Sequence, residues 1–92
     1  LRFGWRIEGR APFRPLRVFD DGRRTYVDFP PHVAEGEMPP LLVAGPDGRA
    51  EPARVRVRGA RMIVDGVFEA GELRLGTGRR TARVRLVRDP GR

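Results

Sequence analysis

Glycine and proline divide this sequence into pieces too short for helices. Twelve glycines and nine prolines are spread through 92 residues, and no window between them carries an amphipathic helix of useful length. What recurs instead, roughly every eight to twelve residues, is a short run of β-formers closed by a glycine turn, the spacing of an antiparallel sandwich or barrel. The expected fold class is all-β, an antiparallel β-sandwich of short strands.

The most informative unit runs from Val18 to Pro31. Asp21-Gly22 is a turn signal, because glycine takes positive φ without steric cost and aspartate tolerates the left-handed region. Leu16 to Phe19 precedes it and Thr25 to Phe29 follows. In the second arm Thr25, Val27 and Phe29 share one face and Tyr26 and Asp28 the other. Pro30-Pro31 ends the pairing, since neither residue can donate to a ladder. Asp20, Asp21, Gly22 and Tyr26 are therefore expected to shape a structural hairpin.

The other strands follow from the same alternation. Leu1, Phe3, Trp5 and Ile7 form one apolar face of a first strand, and Gly9 to Pro15 reads as a loop. His32 to Pro40 is irregular, with room for one helical turn at Val33-Ala34-Glu35 before Gly36 and Pro39-Pro40. Leu41 to Ala44 suits burial on both faces. In Ala53 to Arg58, the most regular strand, Ala53, Val55 and Val57 are expected inward and Arg54, Arg56 and Arg58 outward. Arg61 to Val64, Val67-Phe68, Leu73 to Leu75 and Thr81 to Arg88 complete the set. In the last, Ala82, Val84 and Leu86 oppose Arg83 and Arg85. The expectation is one domain over residues 1–92, with residues 89–92 as a flexible tail. A chain that opens on Leu1 reads as a segment of a longer protein, whose export signal, if any, lies upstream.

The residue inventory argues against catalysis. Serine, cysteine and lysine are absent, which leaves Thr25, Thr77 and Thr81 as candidate nucleophiles with no paired base. His32 is the only histidine and reads as a solvated loop residue. No metal site is expected, because zinc needs three or four soft ligands and Asp20-Asp21 lacks the alternating oxygens of a calcium loop. Glu35 and Glu37 look like solvated charges. Gly76-Thr77-Gly78-Arg79-Arg80 is followed by a strand, whereas a phosphate loop opens a helix. No enzyme activity and no cofactor are expected, and no apolar run reaches membrane-spanning length.

The formal charge is +7, and all 19 basic residues are arginine. Two readings follow: an anionic partner, or a GC-rich coding bias that also removed lysine, serine, asparagine and glutamine. If Arg54, Arg56 and Arg58 share a sheet with Arg83 and Arg85, they form a basic face. It reads first as a solvated surface that discourages edge pairing, then as a protein-binding face, then as a surface for single-stranded nucleic acid. The last would interleave aromatics with the arginines, and neither strand has any.

In this order of elements the chain resembles the C-terminal domain of the TrbG/CagX family, periplasmic subunits of type IV secretion and conjugation channels. Val18-Phe-Asp-Asp-Gly-Arg-Arg-Thr-Tyr-Val-Asp-Phe-Pro-Pro31 carries the most distinctive block. Met38 to Gly48, Val55 to Asp65 and Phe68 to Gly76 resemble three further blocks, and Glu51 to Arg58 departs by being rich in proline and arginine. The resemblance implies a sandwich in the outer-membrane core complex, present in the periplasm as a homo-oligomeric ring. It implies a docking platform for a small outer-membrane lipoprotein and the TrbI-type channel subunit, with incidental contact to transported DNA and no membrane span of its own. Docking would add an extended peptide to a sheet edge. The expected edge is the first strand, with Phe3 and Trp5 as anchors, and Arg54, Arg56 and Arg58 as a further partner surface. The alternative function is a basic β-domain that binds single-stranded nucleic acid.

Overall fold

The computed structural model describes residues 1–89. Two antiparallel sheets form a sandwich from nine strands among these residues. These are β1 (Trp5–Glu8), β2 (Arg17–Asp20), β3 (Thr25–Asp28), β4 (Leu41–Ala44), β5 (Ala50–Pro52), β6 (Val55–Arg58), β7 (Arg61–Val64), β8 (Ala70–Leu75) and β9 (Ala82–Arg88). One sheet runs β1-β9-β8-β4-β5 and the other β2-β3-β7-β6. After β1 the chain proceeds as four hairpins laid alternately on the two sheets. The all-β sandwich expected from the glycine punctuation is the fold observed.

The core lies between the sheets. Val18, Val27, Phe29, Met62 and Val64 face Trp5, Leu41, Leu73, Val84 and Leu86. Phe13 from the first loop and Val33 from a five-residue helix α1 (Pro31–Glu35) join them. Proline at the first helical position suits α1, because that amide has no intrahelical partner in any case.

The hairpin β2–β3 follows its sequence signal. Val18 pairs with Val27 and Asp20 with Thr25. Gly22 has φ +88°, and the Asp21 carboxylate accepts the backbone N–H groups of Arg23 (2.9 Å) and Arg24 (2.7 Å). Thr25 and Val27 are buried while Tyr26 and Asp28 lie on the outer face, as the alternation requires.

Five expectations are corrected. Ala53 to Arg58 is not one strand: the Ala53 N–H donates to Leu41 in one sheet, while the Arg54 carbonyl accepts from Asp65 in the other. The chain changes sheets between those two residues. Second, Val55 and Val57 share the inward side with Val64 and Met62 yet stay 36% and 47% exposed, because they lie on the terminal strand of their sheet. Third, the alternating run from Leu1 breaks at Gly4. Arg2 pairs with Asp20 of β2, the Trp5 N–H turns back to the Phe3 carbonyl at 2.8 Å, and β1 then pairs with β9.

Fourth, Val67-Phe68 is not a strand. The Phe68 ring meets Trp5 edge-on at 4.9 Å. Fifth, β4 is buried on one face only, with Leu41 enclosed and Ala44 exposed; an antiparallel sheet can leave its other face in water. Within the expected tail, Asp89 is tied by its N–H to the Gly4 carbonyl and by its carboxylate to Arg6 at 3.5 Å. Residues 90–92 lie outside the described residues.

Candidate functional site

Trp5 and Phe3, expected together on one edge, are placed in opposite environments. Trp5 is buried, and its indole N–H donates to the Asp20 carboxylate at 2.9 Å. It is a core residue, which removes it from any exposed edge site. Phe3 is 58% exposed and packs at a tilt of 32° against Phe19, with ring centroids 5.2 Å apart. Phe19 stacks on Tyr26 at 5.0 Å. The result is an aromatic column on the outer face of the four-stranded sheet, beside the end of β1.

Arginines frame this column. The Arg61 guanidinium lies 5.4 Å from the Phe19 ring centroid, and Arg17 lies 5.9 Å from it. Both bind Asp28: Arg61 Nε donates to Oδ1 at 2.6 Å and Arg17 Nε to Oδ2 at 2.7 Å. The hydrogen bond from Arg61 outweighs partial burial and, with Arg17, holds the Asp28 carboxyl below its ordinary pKa. Two guanidinium groups thus share one carboxylate, and the cluster keeps a net positive charge.

Asp20 is fully buried. Burial pushes its carboxyl up, but hydrogen bonds from Trp5, Arg88 and the Gly22 N–H together outweigh it and leave the pKa below the ordinary value. A carboxylate whose oxygens are occupied in this way serves structure rather than proton transfer. Asp21 is also held low, by the Arg24 and Arg23 backbone N–H groups and then by the Tyr26 hydroxyl. The Arg88–Asp20 ion pair escapes sequence reading, because its members lie 68 positions apart.

Arg56 and Arg58 lie on β6 and Arg54 immediately before it, whereas Arg83 and Arg85 lie on β9 in the other sheet. The single basic face considered from sequence does not form. Arg83 pairs with Glu72 at 3.4 Å. Arg54 and Arg56, by contrast, line an open cleft of about 250 Å³ with Arg24, Val55, Ile63 and Asp65. Among the described residues, Arg24, Arg54, Arg56 and Arg58 have no carboxylate within ion-pair distance.

His32 is exposed on α1, with Nε2 2.8 Å from the Pro12 carbonyl. Since a carbonyl only accepts, that nitrogen is the donor. Among the described residues, no group of three or more His, Cys, Asp or Glu side chains is placed to hold a metal. No helix among them is long and apolar enough to cross a membrane.

Comparison with known proteins adds a family to this geometry. The CagX family, described as "Conjugal transfer protein", matches residues 1–89. The chain is 32% identical over 88 residues to "Probable conjugal transfer protein TrbG" of Sinorhizobium fredii (strain NBRC 101917 / NGR234), covering 96% of this chain and 32% of that protein. It is 33% identical over 69 residues to "Protein virB9" of Agrobacterium fabrum (strain C58 / ATCC 33970), covering 75% of this chain and 22% of that protein. The chain thus spans about a third or less of the length of the curated relatives it matches.

Proposed function

The chain belongs to the CagX family of conjugal transfer proteins, and on that premise we propose that it is a structural, non-catalytic module of a type IV secretion or conjugal transfer channel. It works in the periplasm, in the outer-membrane core complex, as part of a homo-oligomeric ring. It serves there as a docking platform for a small outer-membrane lipoprotein and for the TrbI-type channel subunit.

One observation carries the docking part. The family match spans a sandwich whose β1 is a terminal strand, with the exposed Phe3 two residues before it in the chain. With the Trp5 N–H taken, the register leaves the Ile7 backbone groups facing away from β9 for ladder bonds, and an exposed aromatic offers a side-chain contact. With Trp5 committed to the core, Phe3 is the remaining anchor. The nucleic-acid reading finds less support, because the arginine strands are divided between two sheets and the Arg17 and Arg61 guanidinium groups are both held against Asp28.

The test is a fluorescence anisotropy titration of the chain with two labelled probes, a peptide from the lipoprotein's extended tail and a single-stranded DNA, at low and at physiological salt. Peptide seated by apolar contacts holds its affinity between the two salts, and nucleic-acid binding falls steeply because each neutralised phosphate releases counterions. The expected result is salt-tolerant peptide binding that Phe3→Ala weakens. Submicromolar DNA binding at physiological salt with no peptide binding would overturn the reading.

A further inference from the structure

The strand β6 combines three features that no other terminal strand of the sandwich shares. β5 is three residues long and ends in Pro52. β2 is already bridged by Arg2, through two hydrogen bonds to Asp20. At β1 the Trp5 N–H is taken by the Phe3 carbonyl. β6 has no such cover, presents Val55 and Val57 partly exposed, and carries Arg54 beside it and Arg56 and Arg58 within it, none paired with a carboxylate among the described residues.

The register shows which backbone groups are available. Antiparallel neighbours alternate between hydrogen-bonded and non-hydrogen-bonded pairs. The Asp65 N–H donates to the Arg54 carbonyl at 2.9 Å, and counting by twos along the hairpin makes Arg56–Ile63 and Arg58–Arg61 the other bonded pairs. The N–H and C=O groups of Val55 and Val57 therefore point away from β7, toward the open side.

We infer that β6 accepts an extended acidic segment of a partner protein as an additional strand, with apolar residues opposite Val55 and Val57 and aspartate or glutamate opposite Arg54, Arg56 and Arg58. The side chains set this pattern. Residues opposite the two valines extend the inner, apolar side of the sheet, and their neighbours fall on the outer side with the arginines. The cleft lined by Arg24, Arg54 and Arg56 receives one of those carboxylates, and it carries three positive groups against the single charge of Asp65. Bidentate geometry makes arginine a good partner for a carboxylate there.

A second copy of this chain fits worse. Two-fold antiparallel pairing through Val55 and Val57 would set Arg56 opposite Arg56, and like charges directly opposite destabilise a ladder. The site shares no residue with the β1 edge, so it adds a second docking edge to the function proposed above and can fail separately from it.

The experiment titrates the chain with a fluorescein-labelled peptide of alternating glutamate and valine, read by anisotropy. A lysine–valine peptide and a peptide N-methylated at its valines, which face Val55 and Val57, serve as controls. The expected result is binding of the glutamate peptide alone. It weakens by about tenfold or more with Arg54→Glu/Arg56→Glu and is unchanged by Phe3→Ala, while the charge-reversed variant gains binding to the lysine peptide. N-methylation leaves the charges and removes the donors, so it too should cost about tenfold, whatever any variant does to folding. Equal binding of the methylated peptide would mean charge attraction without strand addition. Tighter binding of a single-stranded DNA of equal charge would make the surface a nucleic-acid face. Loss of binding in Phe3→Ala alone would move the peptide to β1. Each of these outcomes, or no binding at all, overturns the inference.

Discussion

Trp5 and Arg88 share one oxygen of Asp20: the indole N–H donates to Oδ2 at 2.9 Å and the guanidinium Nε at 3.2 Å. Trp5 and Arg88 sit opposite each other in the five-stranded sheet, whereas Asp20 ends β2 of the four-stranded sheet. Its other oxygen accepts the Gly22 N–H at 2.9 Å. One buried carboxylate thus shapes the first hairpin turn and fastens it to the opposite sheet.

Removing one partner of this buried pair should cost more than removing both. Arg88→Met leaves the Asp20 charge short of a partner, and such losses run to about 3–5 kcal/mol. The double variant Asp20→Asn/Arg88→Met should recover part of that. Trp5→Phe keeps the ring and drops one hydrogen bond to a charged group, at about 1.5–3 kcal/mol. Urea unfolding checks all three. The only tryptophan reports the Asp20 and Arg88 variants by fluorescence, and circular dichroism reports Trp5→Phe.

Acid should destabilise the fold in a defined window. Asp20, Asp21 and Asp28 all have folded pKa values below the ordinary carboxylate value. A depressed folded pKa gives stability that is fully present above the unfolded pKa, about 3.9, and is lost as pH falls through the folded value. The urea midpoint should therefore be flat from neutral pH down to about 5 and fall below about 4. Asp28→Asn should lower the plateau and flatten the acid limb, because Arg61 and Arg17 no longer favour an ionised partner over a protonated one.

Much of the fold could be read from local pattern because its information is local. Asp21-Gly22, Gly59-Ala60 and the alternation in Val84 to Leu86 each specify a turn or a face within a few residues. What escaped depends on contacts distant in sequence. Nothing near Ala53 announces that its amide serves Leu41 while its neighbour serves Asp65, so a continuous β pattern concealed a change of sheet. The valines of β6 alternate as core residues do, and only the strand's terminal place leaves them in water. At the candidate edges the sequence supplied residue types, while the structure divided Phe3 from Trp5 and β6 from β9.

Glycine substitutions should separate two turns that look alike in sequence. Gly48 (φ +82°) has open space where a Cβ would go, and Gly76 (φ +109°) would place that Cβ 2.4 Å from the Arg80 carbonyl oxygen. Alanine at either position bears the left-handed penalty of about 1–2 kcal/mol. At Gly76 it must also displace backbone, so Gly76→Ala should lower the melting temperature by clearly more than Gly48→Ala. Calorimetry of the two variants decides it, and equal shifts would mean that the loop before β9 yields freely.

Val57 and Met62 are cross-strand partners on the same side of one hairpin, yet Met62 is 1% exposed and Val57 47%. Met62→Ala opens a cavity in the core and should cost about 2–5 kcal/mol. Val57→Thr keeps the β-branch, meets water where the methyl was, and should stay within about 0.5 kcal/mol of the parent. Urea midpoints of the two variants test the contrast. A large loss at Val57 would mean that β6 is held by its valines as part of the core. If stability survives there, the apolar character of β6 is not needed for folding, and strand addition at that edge supplies a reason for it.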